Sequence, residues 1–173
     1  MSWKIDSSHT SINFSAKHMM ISTVRGEFTD VSGAVEFDPA NPVITKASVQ
    51  IGVDSLSTRD EKRDGHLKSA DFFDAANHPF VTFESKGVTA VNGNNAKLIG
   101  DLTIRGVTKE VALNVEYAGM QKSPWGATSA GFTATTQINR EDWGLTWNVP
   151  LELGGVLVSK DIKLEIDMEI VKQ

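Results

Sequence analysis

The stretch Thr58–Phe73, TRDEKRDGHLKSADFF, brings Arg59, Asp60, Arg63, Asp64 and His66 close together and ends on adjacent Phe72 and Phe73. Three chemistries fit those residue types. Asp64 and His66 suit general acid–base work, provided that the acting groups stand at hydrogen-bond distance. Imidazole and carboxylate also ligate metals, and such a site would draw on His9, His18, His66 and His78 with nearby Asp residues. No two of these histidines share a recognised ligand spacing such as HxxxH, so no metal is expected. The third reading is the polar rim of an apolar cavity, where charged groups stand beside bulky rings. Neither a GxSxG nucleophile turn nor a phosphate-binding glycine loop occurs.

Local signals in this stretch predict a short helix. Thr58 followed by Glu61 fits a capping box; Asp60 and Glu61 suit the positive end of the helix dipole, and Lys68 the far end. The like-charge pairs Arg59/Arg63 and Asp60/Asp64 each oppose an isolated helix by about 0.2–0.5 kcal/mol. So short a helix is marginal alone, which makes Leu67, Phe72 and Phe73 its anchors across the fold. Its charges are then expected to meet partners elsewhere. A second break falls at NREDWGLTW, where Asn139 can cap a single turn ahead of Trp143.

Almost everything else alternates. Ile12, Phe14, Ala16 and His18 share one face of their segment, and Ala47, Val49, Ile51 and Val53 share one face of theirs. The same holds for Leu98, Leu102 and Ile104, for Val107, Val111, Leu113, Val115 and Tyr117, and for Ala130, Phe132, Ala134 and Ile138. Ile162, Leu164, Ile166, Met168 and Ile170 close the series. A period of two is what a strand with one buried and one wet face requires. Runs near residues 11–18, 22–37, 44–54, 80–91, 96–104, 107–117, 128–138 and 160–171 count as eight strands. Turn signals separate them at Asp38–Pro42, Asn92–Asn95 and Arg105–Gly106, while Gly119–Gly126 reads as a longer loop.

Short links between consecutive strands predict an all-β fold, an eight-stranded antiparallel β-barrel formed as one domain over residues 1–173. Closure would remove exposed edges, and a two-sheet sandwich is the competing architecture. Eight strands make a barrel that is either filled by side chains or hollow enough for one ligand. The inward positions are apolar nearly throughout, so a guest would be apolar too.

Composition narrows the classes further. The net charge of −5 and the lack of any Lys/Arg run argue against a nucleic-acid surface. With no cysteine, disulfides and thiolate metal sites are excluded. No apolar run reaches membrane-span length, and no signal peptide is visible, so the cytoplasm is the expected location.

Groups of residues in order along nearly the whole chain are similar to those of the YceI-like, polyisoprenoid-binding family. Asp6 and His9 match its opening strand, with Thr10 where Ser is usual; His18, Ser22, Val24, Gly26 and Phe28 match its second motif. Arg63, Asp64, His66, Leu67, Ser69, Asp71, Phe72 and Phe73 match its most specific one. Pro79, Phe83 and Ser85 follow, then Gly100, Leu102, Arg105 and Gly106, then Asn139, Arg140, Asp142, Trp143 and Gly144.

The resemblance implies a lipocalin-like barrel, often a homodimer, that takes an isoprenoid chain into its lumen, with one or two short helices at the mouth. The candidate lining is Phe14, His18, Val24, Phe28, Val49, Ile51, Leu67, Phe72, Phe83, Leu102, Leu113, Phe132 and Trp143. Arg63, His66 and Arg25 are candidates for meeting a diphosphate or quinone oxygen. The expected function is a non-catalytic carrier of a polyprenyl chain or isoprenoid quinone, needing no cofactor beyond that ligand. A lipid-modifying enzyme with an Asp64/His66 acid–base pair is the alternative, and a packed barrel that binds protein partners a third.

Overall fold

The structure, a computed structural model, describes residues 2–173. Its strands are β1 (Ser2–Ile5), β2 (Ser11–His18), β3 (Ser22–Phe28), β4 (Val31–Glu36) and β5 (Lys46–Gly52), then β6 (Phe80–Asn92), β7 (Asn95–Ile104), β8 (Val107–Lys122), β9 (Thr128–Asn139) and β10 (Asp161–Lys172). Every pairing is antiparallel, and β5 to β10 follow one another as a meander. Both β1 and β2 pair with β10, so they form one stave broken at Asp6–Thr10. A second broken stave joins β3, paired with β2, to β4, paired with β1. Ten strands less these two joins make eight staves. The β1–β10 and β1–β4 ladders close the ring, which excludes the sandwich.

Two elements differ from the sequence reading. Four-residue β1 was not among the expected runs, although Trp3 and Ile5 point inward and are buried. The first half of the expected loop at Gly119–Gly126 is strand: β8 continues to Lys122, and the turn closes where Ser123 N donates to Ala127 O at 2.7 Å. Gly119, at φ +121°, takes up a shift in register after Tyr117, and that bulge lets the ladder resume.

In two hairpins a pair of adjacent turn residues is left-handed. Arg105 (φ 51°) and Gly106 (φ 74°) form the expected primed turn. Between β2 and β3 the same positions are held by Met19 (φ 52°) and Met20 (φ 63°). Asn-Gly is the ordinary choice there, and an L-residue with a Cβ costs roughly 1–2 kcal/mol in that conformation.

The inward faces form the hydrophobic wall, anchored by fully buried Trp3, Val31, Val53 and Ile170. Burying a side chain of the Val or Ile class stabilises by about 1.5–3 kcal/mol relative to exposure. Trp3 Nε1 donates to Phe37 O at 2.9 Å, which satisfies the one polar atom of that ring. Across the opposite end lies α1 (Glu61–Lys68). Its N-cap is Asp60, accepting from the Lys62 and Arg63 amides at 3.1 Å each, and not the expected Thr58. Arg59 at φ +65° turns the chain between them, and Thr58 Oγ1 donates to Asp64 instead. Among the described residues no helix is long and apolar enough to cross a membrane.

Candidate ligand-binding site

A cavity of about 490 Å³ runs inside the barrel, well within the range of small-molecule pockets. At one end it is bordered by Pro39, Pro42, Val91 and Asn94; at the other by His18, Arg63, His66, Trp147 and Val158. The strands supply the wall through the alternation that sequence alone displays. Phe14, Val24 and Phe28 line it from β2 and β3, Val49 and Ile51 from β5, and Phe83, Leu102, Leu113 and Phe132 from β6 to β9. His18 reaches it from the last position of β2, half-buried.

Two covers close the end that holds most of the polar groups. The first is Thr58–Phe73, whose Leu67 and Phe72 border the cavity and whose Phe73 meets Phe28 edge to face at 5.6 Å. The second is the irregular segment after the 3-10 turn Arg140–Trp143, which Asn139 caps through the Glu141 amide at 3.0 Å. There Trp143 is buried and donates Nε1–H to Leu102 O at 2.9 Å. The covers touch where the His66 ring stands edge-on to Trp147, centroids 4.5 Å apart, beside Phe72.

Asp60, Arg63, Asp64, His66 and Asp71 find their partners within the first cover, against the expectation of partners elsewhere. Arg63 donates Nε–H to Thr58 Oγ1 and Nη2–H to Thr58 O, both at 2.7 Å. Asp64 Oδ1 accepts from Thr58 N at 2.8 Å and from its hydroxyl at 2.5 Å. His66 Nε2 meets Asp71 Oδ2 at 2.9 Å. Asp64 and His66, two positions apart on one helix, face different ways and take different partners, so the structure does not assemble the proposed acid–base pair. Arg25 also departs from expectation: it alternates with inward Val24 and is therefore exposed on the outer face.

Among the cavity residues outside the expected lining are Phe37, Tyr117, Trp147 and Arg140. Tyr117 was legible in the alternation of β8, and Phe37 and Trp147 as aromatics beside turn signals. Arg140 was not. It is 5% exposed, donating to the carbonyls of Ser159 (2.9 Å), Leu145 (2.6 Å), Trp147 (3.0 Å) and Val158 (3.4 Å). Burial pulls its pKa below the ordinary arginine value, and the Glu141 charge opposes that shift.

Outside the cavity, Asp6, His9 and Glu169 gather where the first stave breaks. His9 Nδ1 bonds Asp6 Oδ2 at 2.8 Å, and Glu169 Oε2 lies 3.9 Å away. The hydrogen bond to Asp6 is the main reason that the His9 pKa is raised, with the Asp6 and Glu169 charges adding to it.

Comparison with known proteins gives a consistent picture. The profile of the YceI-like domain matches residues 3–170. A UPF0312 protein of Staphylococcus aureus (strain N315) is 42% identical over 165 residues, covering 95% of this chain and 94% of its own. The crystal structure of Burkholderia cenocepacia BcnA superposes at a TM-score of 0.82 with 23% identity, over 95% of this chain and 98% of that one. A polyisoprenoid binding domain from Saccharophagus degradans, implicated in plant cell wall breakdown, shares the fold at 16% identity and a TM-score of 0.69, over 97% of both chains.

Proposed function

The chain belongs to the YceI-like family, and from that premise we propose that it is a carrier, holding an isoprenoid lipid in the barrel and releasing it unchanged. The observation that carries this reading is the continuous apolar cavity of about 490 Å³, with cationic side chains at its covered end. Each methylene buried there gains on the order of 0.8 kcal/mol before costs. Ordering a flexible chain offsets much of that gain, so tail length and stiffness govern affinity. The polyisoprenoid binding named for the Saccharophagus degradans domain supports the same ligand class.

The head group sits at the covered end. Thr58 takes two donors of Arg63, and a guanidinium has five. The remainder suit a diphosphate, whereas His66 offers the single donor that a quinone oxygen needs. Arg140 spends its donors on backbone carbonyls and acts as an anchor for the second cover.

Native mass spectrometry of the purified protein, followed by organic extraction and lipid mass analysis, tests this. A stoichiometric adduct whose fragments repeat the isoprene mass is expected. A clean apo mass, with no uptake of added prenyl quinones or prenyl diphosphates, would overturn the carrier.

A further inference from the structure

The covered end also carries apolar side chains that nothing covers. The β2–β3 turn presents Met19, Met20 and Ile21 to solvent, and the segment after Trp147 presents Val149 and Leu153; Ile21 and Leu153 are 83% and 103% exposed. These two tips form one patch. Met19 N donates to Leu157 O at 2.8 Å, and Met20 Sδ lies so close to Gly155 that a Cβ there would clash with it. Flanking His18, Leu157 and Val158 line the cavity, so the patch is its lip.

Three observations say what the lip meets. Both left-handed positions of the β2–β3 turn hold Met, which keeps apolar side chains in water on a strained backbone. Next, four amides of the tips are satisfied internally: Ile21 N donates to His18 O, Leu151 N to Gly155 O, Gly154 N to Leu151 O and Leu157 N to Val149 O. Backbone that enters hydrocarbon needs such partners. Last, charge on the outer face of β10, β2 and β3 is graded. Lys17, Arg25 and Lys163 occupy the rungs beside the lip together with Asp161, while Glu27, Glu165 and Asp167 occupy those beyond. Within the tips the only acid is Glu152.

An apolar edge backed by cations, on a chain of net charge −5, fits an anionic lipid surface. We infer that the lip docks on an anionic bilayer, with Met20, Ile21 and Leu153 entering the interface and Arg25 and Lys163 facing lipid phosphates. A prenyl chain then passes between bilayer and cavity without crossing water. What passes rests on the carrier reading; the docking does not.

Flotation with vesicles of phosphatidylglycerol and phosphatidylethanolamine tests it. The wild type should float, and less so with phosphatidylcholine alone or after Arg25→Glu with Lys163→Glu. Met19→Asn, Met20→Gly and Leu153→Ser combined should reduce partitioning about tenfold or more. Because Asn-Gly relaxes the turn, this variant should keep the wild-type Tm. Its uptake of farnesyl diphosphate, read by native mass spectrometry without vesicles, should be unchanged. Wild type that floats but takes up no prenyl ligand would sink the carrier reading and leave the docking intact. Absence of wild-type flotation, or equal flotation of the lip variant, overturns the docking. So does a lip variant whose sole effect is to split a dimer, since the patch would then be an interface between copies of this chain.

Discussion

The two covers that meet at His66 and Trp147 are tied by arginines in different ways, and the first is also held to the β7–β8 turn where Arg105 Nη1 donates to Phe72 O at 3.2 Å. In Thr58–Phe73, Arg63 is half-buried and its guanidinium bonds Thr58, five residues back. Asp64 returns to the same residue, so the clasp is closed within its own segment. Arg140 is buried and collects carbonyls at Leu145, Trp147, Val158 and Ser159, joining the end of β9 to the approach of β10 across the whole second cover. A clasp built from local bonds can open while the barrel stays folded; a staple that bridges distant backbone cannot. The first cover is therefore the one expected to open first, and the second belongs to the frame.

Breaking the staple should have the largest effect. Arg140→Met leaves the Leu145, Trp147 and Ser159 carbonyls without this donor, while Val158 O keeps Asn148 Nδ2, at a cost of about 3 kcal/mol or more in urea unfolding. Hydrogen exchange should rise over residues 145–160, and Arg140→Lys should not rescue it, because one ammonium cannot fork to so many acceptors. A loss under about 1 kcal/mol would put both covers on the same footing. Asp64→Ala should be milder, about 1–2 kcal/mol, with faster exchange confined to residues 58–73 and quicker release of bound lipid. Faster exchange spreading to residues 145–160 would contradict a local clasp. His66→Ala removes the edge-on ring contacts that join the covers, worth about 0.5–1.5 kcal/mol, and should leave prenyl binding largely intact.

The same contrast explains what sequence could show. Alternation reports which face of a strand is buried, and from Val107 to Tyr117 it gives the wall of the cavity directly. It carries no signal for a break set by a tertiary contact. The run at 22–37 divides at Thr29–Asp30 because Gly52 N donates to Asp30 O, and Gly52 leaves room for the Asp30 carboxylate. The strand pair that closes the expected ring was equally hidden in local pattern, since Trp3 pairs with Lys172 at the other end of the chain. Thr58 showed a hydroxyl suited to a cap, but the left-handed Arg59 that redirects it follows from the folded context. Arg140 misleads for another reason: a charged side chain reads as surface, and its acceptors lie in an irregular segment without periodicity.

The smallest expected effect sharpens the contrast between a buried and an exposed cation. His9 is largely exposed, and Asp6 is its closest partner. Asp6 is in turn held below the usual carboxylate range, first by the Ser8 hydroxyl and then by His9. With its pKa raised above the ordinary 6.5, folded His9 keeps a proton that the unfolded chain gives up. Its contribution is therefore full below that value and disappears as pH rises through the folded pKa. For Asp6 the sign reverses: the contribution is present above the ordinary 3.8 and is lost as pH falls through the lowered folded value. The two overlap between about pH 4 and 6.5. In thermal unfolding, His9→Gln should lower Tm slightly near pH 5.5 and by nothing near pH 9, with added salt shrinking the difference. Arg140→Met should be equally damaging at both, because a guanidinium keeps its proton throughout. A His9→Gln deficit that persists at pH 9 would mean that the imidazole acts by packing and neutral hydrogen bonds, leaving Arg140 without its electrostatic counterpart on the surface.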